Sequence, residues 1–320
     1  MRRFLIRRLL QSAFLLLAIM TLSFALMHAA PGGPLQLLAE DPRMSASTIR
    51  DIEERLGLHD PLPLQYAKWV WGVVRLDFGV SFVDKRPVIS ILWDAAVNTF
   101  WLTIGGTIIG LLGIPLGVYA ARHRGKVGDN LVRVLTVVLN AIPHWWLGLL
   151  LIILISNIAI GGGPKLLPLG QMYTIGGDNF IDRLWHMILP SFLVSLGYII
   201  VFTRFARSQT LDVLNQDYVR TARAKGMSEG VVTRSHVLRT SLIPLITIFG
   251  GLLPALFGGL VLTESVLSWP GMGTTFISAA LQRDYPVLLG TILFLSILVI
   301  VGNLLSDLAY GLVDPRVRYD

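Results

Sequence analysis

Few side chains in this chain are placed to do chemistry, and most of them lie in or beside long apolar runs. His144, flanked by Trp145 and Trp146, and Asp307 are ionisable groups within such runs. Groups of that kind inside apolar spans mark proton relays, ion paths or substrate contacts. A proton-coupled carrier needs paired carboxylates deep in its spans, and the sequence offers no such pair. Asp307 stands close enough to the end of its run to meet water or Arg316. His144 has two readings: a contact on a translocation path, or a packed and hydrogen-bonded imidazole. Glu264 and Asp284 fall between runs, as candidate gate or docking contacts. Gly250, Pro254 and Gly258 recur every four residues, which suits either close helix packing or one thin wall of a path.

Enzymatic motifs are missing. No G-x-x-x-x-G-K-[ST] is present, since the stretch Gly161-Gly162-Gly163-Pro164-Lys165 lacks both the spacing and the hydroxyl residue. Neither H-E-x-x-H nor G-x-S-x-G occurs. The chain has no cysteine, which excludes disulfides, thiolate metal sites and a cysteine nucleophile. No cofactor or metal is expected on this chain.

The remaining concentration of chemistry is a basic segment, DYVRTARAKGMSEGVVTRSHVLRTSLIP, running from Asp217 to Pro244. From Arg204 to Arg239 seven Arg/Lys face only three Asp/Glu (Asp212, Asp217 and Glu229). Gln216 to Lys225 holds good helix formers and no proline, and Gly226 follows where a helix-ending glycine belongs. Ser228 and Glu229 then supply an N-cap and an acidic first turn for a second helix. The pattern is helix, glycine corner, helix. Ala222 and Gly226, four apart, leave one side of the corner thin, while Arg220, Arg223, Lys225 and Arg234 offer charge to an acidic partner or to lipid headgroups. A solvated basic loop of a membrane protein is the plainer reading of the same charge.

The elements that must carry these residues follow from composition. The 320 residues are 53% hydrophobic and 15% charged, with a mean hydropathy of +0.66; soluble domains carry about 25% charged residues. The apolar residues arrive in blocks near the length a helix needs to cross a bilayer. Six spans are predicted, over 9–29, 98–121, 132–158, 187–207, 242–262 and 287–309, with kinks at Pro115 and Pro143. The net charge of +7 sits beside these spans without an aromatic stacking pattern, so it reads as membrane orientation and not as nucleic-acid binding.

Arg and Lys counts put both termini in the cytoplasm. Four precede the first span, four lie between Arg122 and Arg133, seven in 204–239 and two in the tail, against three (Lys165, Arg183 and Arg283) in the short outer loops. The chain therefore divides into residues 1–30 (cytoplasmic N-terminus and first span), an outer segment 31–97, a five-span core 98–309 containing the corner segment 208–241, and a tail 310–320. In the outer segment Ser47 can cap a short helix ending at Gly57, and Leu64, Ala67, Trp71 and Val74 form a second apolar stripe. Such a segment serves as a cap on the outer mouth, or as a docking surface for a periplasmic partner.

Spacing within the corner resembles the E-A-A-x-x-x-G loop of bacterial ABC importer permeases. Ala222, Gly226 and Leu238 match, while Arg220, Thr221, His236 and Arg239 stand where the general motif has Glu, Ala, Ile and Pro. The departures are those of one branch: DYVRTARAKGMSE followed by RSHVLRTSLIP resembles the permeases of dipeptide and oligopeptide ABC importers. PGGPLQLL, ERLGLHDPLPLQYAKW, GIPLGVYAA, WPGMG, RDYPVLLG and LVDPRVRY, in that order, extend the resemblance over nearly the whole chain.

The resemblance implies an all-α, type I importer permease in the bacterial inner membrane. Its expected partners are a second and different permease chain, two ATPase subunits that use ATP and Mg, and a periplasmic binding protein that delivers peptide. By carry-over, Tyr218, Arg220, Thr221, Ala222, Gly226, His236 and Leu238 couple the chain to an ATPase. Related permeases carry glutathione or nickel complexes instead of peptides. An ion-coupled transporter acting alone and an intramembrane enzyme are the rival classes.

Overall fold

Inside a bilayer the backbone has no partner but itself, so long apolar runs become helices. The computed structural model describes residues 2–29, 59–164, 166–177, 179–241 and 260–313, with isolated positions at 47, 53–54, 252 and 255–258. In order they form α1 (Arg2–Ala29), α2 (Leu62–Val74), α3 (Val88–Gly110), α4 (Gly113–Arg122), α5 (Val127–Ala141), α6 (His144–Ile160), α7 (Phe180–Leu214) and α8 (Asp217–Ala224). Then come α9 (Glu229–Val231), a π-helical stretch Val232–Leu238, α10 (Arg239–Ser241), α11 (Val261–Val266), α12 (Met272–Leu281) and α13 (Tyr285–Val313). The β contact among the described residues is a single antiparallel bridge, Val80 with Pro87.

Among the described residues, four helical stretches are long and apolar enough to cross a membrane: Ile6–Ala29, Val88–Arg122 (α3 with α4), Phe180–Leu214 and Tyr285–Leu305. Helices α5 and α6 qualify together but meet at a 90° bend. The span expected over 132–158 is therefore broken. Ile142 is extended (φ −94, ψ 122) and Pro143 caps α6, as expected where a proline disfavours helix at the residue before it. Pro115 goes with a milder interruption, at Leu111 and Leu112 between α3 and α4, which still run as one span. It sits in the first turn of α4, where a missing N–H costs little, and the Ile114 N–H bonds the Leu111 carbonyl at 3.0 Å. Helix α3 begins at Val88, not near 98. Most of the span expected over 242–262, and most of the helix expected from Ser47, lie outside the described residues.

Helix α7 lies along α3 and α4 in parallel register. Gly105 faces Ser191, Gly110 faces Tyr198, Gly113 faces Thr203 and Gly117 faces Arg207. A Cβ at Gly117 would lie 2.3 Å from the Thr203 carbonyl oxygen, so the backbones touch only because this row is glycine. Helix α13 joins at the same starting end, with Gly290 against Val88 and Leu92. The core there gathers Met20, Phe78, Val88, Leu92, Met272 and Leu293 from α1, α3, α12, α13 and the loop after α2. Because α3 and α7 start at the same end, the chain must cross back between Arg122 and Phe180. If α3–α4 and α7 both cross, the bent pair α5–α6 is the stretch that makes the return crossing.

Candidate functional site

The basic corner follows directly from the end of α7. Val219 and Ala222 of α8 are buried against Val213 of α7 and against Val232 and Val237 of the π-helical stretch. Helix α8 closes as the sequence predicts. The Gly226 N–H donates to the Arg223 carbonyl at 2.9 Å and the Met227 N–H to the Ala222 carbonyl at 3.3 Å. That pair of bonds is a Schellman closure, and Gly226 holds the left-handed conformation it needs (φ +79). Ser228 takes the extended backbone of an N-cap, but its hydroxyl makes no capping bond.

Across the corner, Arg223 grips Glu229 with two bonds, Nε to Oε1 at 2.7 Å and Nη2 to Oε2 at 3.2 Å. The guanidinium holds the Glu229 carboxyl below its ordinary range, with a further pull from Arg122. The glycine turn is strapped into one geometry.

The expected coupling residues do not all face outward. Tyr218, Arg220 and Thr221 are exposed; Arg220 pairs with Asp217 at 3.6 Å, and the Thr221 hydroxyl bonds the Asp217 carbonyl at 2.9 Å. Ala222 is 5% exposed and belongs to the chain's own cluster, so the thin side expected from Ala222 and Gly226 is not offered to a partner. The space around Gly226 is open, and its requirement is conformational. His236 and Leu238 are half-buried on the π-helical stretch, and Leu238 shares a cleft with Pro115, Val118 and Arg122 of α4. The continuous second helix expected after Ser228 is π-wound over Val232–Leu238, a form frequent at functional sites.

Glu264 and Asp284, read from sequence as gate or docking contacts, are both buried and internally bonded. Glu264 is 0% exposed. Its Oε1 accepts the Thr99 hydroxyl at 2.8 Å, and its Oε2 accepts the Gly273 and Thr274 N–H groups at 2.8 and 3.1 Å. The carboxylate thereby caps α12 and ties it to α3. Trp269 adds to this junction through Nε1–H to the Asn98 carbonyl at 3.0 Å. Asp284 accepts the Ser81 hydroxyl and the Phe82 N–H, pinning the loop before α3 to the start of α13. A docking partner would find neither carboxylate free.

His144 is half-buried at the start of α6, with its ring 3.4 Å from where a Cβ on Gly197 of α7 would stand. Gly258 is exposed; Gly250 and Pro254 lie outside the described residues. Sequence reading missed one buried ion pair. Asp129 of α5, 1% exposed, accepts Arg207 Nε at 2.7 Å, Arg207 Nη2 at 2.9 Å and the Gly125 N–H at 3.0 Å. Its partners stand 78 residues apart, beyond any local pattern; the available signal was an acidic residue in the first turn of α5 facing an arginine near the inner end of an apolar span.

Residues 1–103 match the family model for the N-terminal part of a binding-protein-dependent transport system membrane component. Residues 113–319 match the model for the binding-protein-dependent transport system inner membrane component. Among curated relatives, the oligopeptide transport system permease protein AppB of Bacillus subtilis is 42% identical, each chain covering 100% of the other. The dipeptide transport system permease protein DppB of Escherichia coli K12 is 36% identical over 100% of this chain and 99% of that one. The glutathione transport system permease protein GsiC of Salmonella paratyphi A is likewise 36% identical, over 100% of both chains. Among solved structures, the inward-facing MetNI methionine ABC transporter superposes with a TM-score of 0.55 at 18% identity, covering 71% of this chain and 97% of the other.

Proposed function

Because this chain belongs to the family of binding-protein-dependent transport system inner membrane components, we propose that it is the peptide-conducting permease subunit of an ATP-driven importer. It is a multi-pass membrane subunit whose fold is that of a type I importer permease. The observation that carries the coupling role is the strapped helix–glycine–helix corner at the end of α7. An exposed face of Tyr218, Arg220 and Thr221 stands on a buried apolar base, which is the form of a lever and not of a loose loop. ATP and Mg are used by the partner ATPases, and the chain supplies no nucleotide-binding loop of its own.

Closure of the ATPase pair pushes the corner. The push passes along α7, and α7 carries α3 and α4 with it through the glycine contacts. Access then switches from one side of the membrane to the other. At the opposite end Glu264 and Asp284 keep α12, the loop before α3 and α13 as one piece, so that the movement reaches the outer mouth undissipated. The cargo is di- or oligopeptides delivered by a periplasmic binding protein, and the second permease is a different chain. Both termini are cytoplasmic. A glutathione importer is the second reading, favoured by the GsiC likeness.

Co-purification and vesicle transport test the proposal. Tagged chain is expected to bring down an ATPase and a second permease. Proteoliposomes of that complex are expected to accumulate members of an isotope-labelled library of di- to pentapeptides only with ATP and the binding protein. Uptake of glutathione alone would move the cargo to the second reading. ATP-independent uptake by this chain alone would overturn the importer reading.

A further inference from the structure

From the geometry around Arg207 we infer that Asp129 and Arg207 are positioning residues that carry the movement of α7 into α5, a role resting on the importer reading above. Arg207 stands where three helices meet. Its backbone N lies 2.8 Å from where a Cβ on Gly117 of α4 would be, so α4 presses on α7 at this residue. Its guanidinium reaches across to Asp129, the buried first-turn residue of α5, with the fork geometry that fixes direction as well as distance. The third bond to Asp129 comes from the N–H of Gly125, held left-handed (φ +77) in the turn between α4 and α5. Just past that turn α5 comes close to α4: a Cβ on Gly128 would stand 2.7 Å from the Tyr119 hydroxyl.

Helix α5 makes few other contacts that could drag it, since its remaining surface is largely exposed and apolar, as at Leu131, Val134 and Val138. Its broken partner α6 is held on α7 directly, with Leu147, Leu151 and Ile152 packed against Leu189 and Leu193. The buried ion pair is therefore the fixed point by which α5, the half of the crossing without such a packed apolar face, follows α7. Breaking one side leaves an uncompensated buried charge, whereas a tether of the same length restores the link without any charge.

The test uses the complete complex in proteoliposomes, the labelled peptide library, and three forms of the chain. In Arg207→Lys, which keeps the charge but loses the fork, ATP hydrolysis is expected to persist while peptide imported per ATP falls by roughly ten-fold, within the range of couplings through contacting groups. This chain has no cysteine, so within it Asp129→Cys and Arg207→Cys can be bridged by a short bis-methanethiosulfonate, each thiol displacing methanesulfinate to form a reducible disulfide. The reduced double variant is expected to hydrolyse ATP with poor uptake, and the bridged form to recover most of the uptake until reductant is added. Equal uptake per ATP in Arg207→Lys and the parent overturns the inference. So does a bridged form no better than its reduced form. Failure of the parent complex to import with ATP would instead strike the importer reading itself.

Discussion

Gly226 shows what a single position contributes to the corner. Its φ of +79 lies in the left-handed region, yet no atom stands within 4 Å of where a Cβ would be. A side chain there meets backbone strain and no collision, at about 1–2 kcal/mol for an ordinary residue. Asparagine, which tolerates this conformation, is expected to preserve coupling in Gly226→Asn. A β-branched residue suits it least, so Gly226→Val is expected to keep ATP hydrolysis and lose peptide uptake. The ratio of peptide imported to ATP hydrolysed is the measurement, and a parental ratio in Gly226→Val would remove the corner from the coupling path. This residue was legible in the sequence because its signal is local: a helix former run, a glycine, then a capping serine. Glu264 was not. Its role depends on Thr99, 165 residues away, and an isolated glutamate between apolar runs looks the same whether it is free or caps a helix.

Helix α7 joins the two ends of the molecule, and the glycines of α3 and α4 determine how tightly it is held. At Gly117 a Cβ would lie 2.3 Å from the Thr203 carbonyl oxygen and 2.9 Å from the Ala206 Cβ. Neither neighbour is the movable tip of a side chain, so Gly117→Ala must push the helices apart. Overpacking of this kind costs about 1–3 kcal/mol. Thermal unfolding of the purified complex is expected to show a clear loss of stability in Gly117→Ala. Gly230→Ala is the control, since nothing lies within 4 Å there and its backbone is not left-handed. Equal losses in the two variants would mean that the α4–α7 contact is looser than its geometry. Hydrophobic length located α1, α7 and α13 from sequence because burial in lipid needs only apolar residues in sufficient number. The break between α5 and α6 was visible as Pro143, but its 90° angle was not; a proline permits a bend, and packing against α7 and α11 decides its size.

Taken together, the helices divide the molecule into two ends of different chemistry. At one end gather Arg7 and Arg8 near the start of α1, Arg122 at the end of α4, the Asp129–Arg207 pair and the basic corner. At the other lie α2, the loop pinned by Asp284, and the Glu264 cap of α12. Basic residues are retained on the cytoplasmic side, and this concentration of charge is what supports the proposed cytoplasmic placement of the corner. The parallel register of α3 and α7 adds a condition that charge counting does not: α5–α6 must cross once. A fluorescent protein fused at the C-terminus is therefore expected to be bright. Alkaline phosphatase, which is active only outside the cytoplasm, is expected to be active when fused after Gly163 and inactive when fused after Arg124. Silence after Gly163 would turn α5–α6 into a re-entrant loop, reverse the direction of every later helix and detach the corner from the side where ATP is hydrolysed.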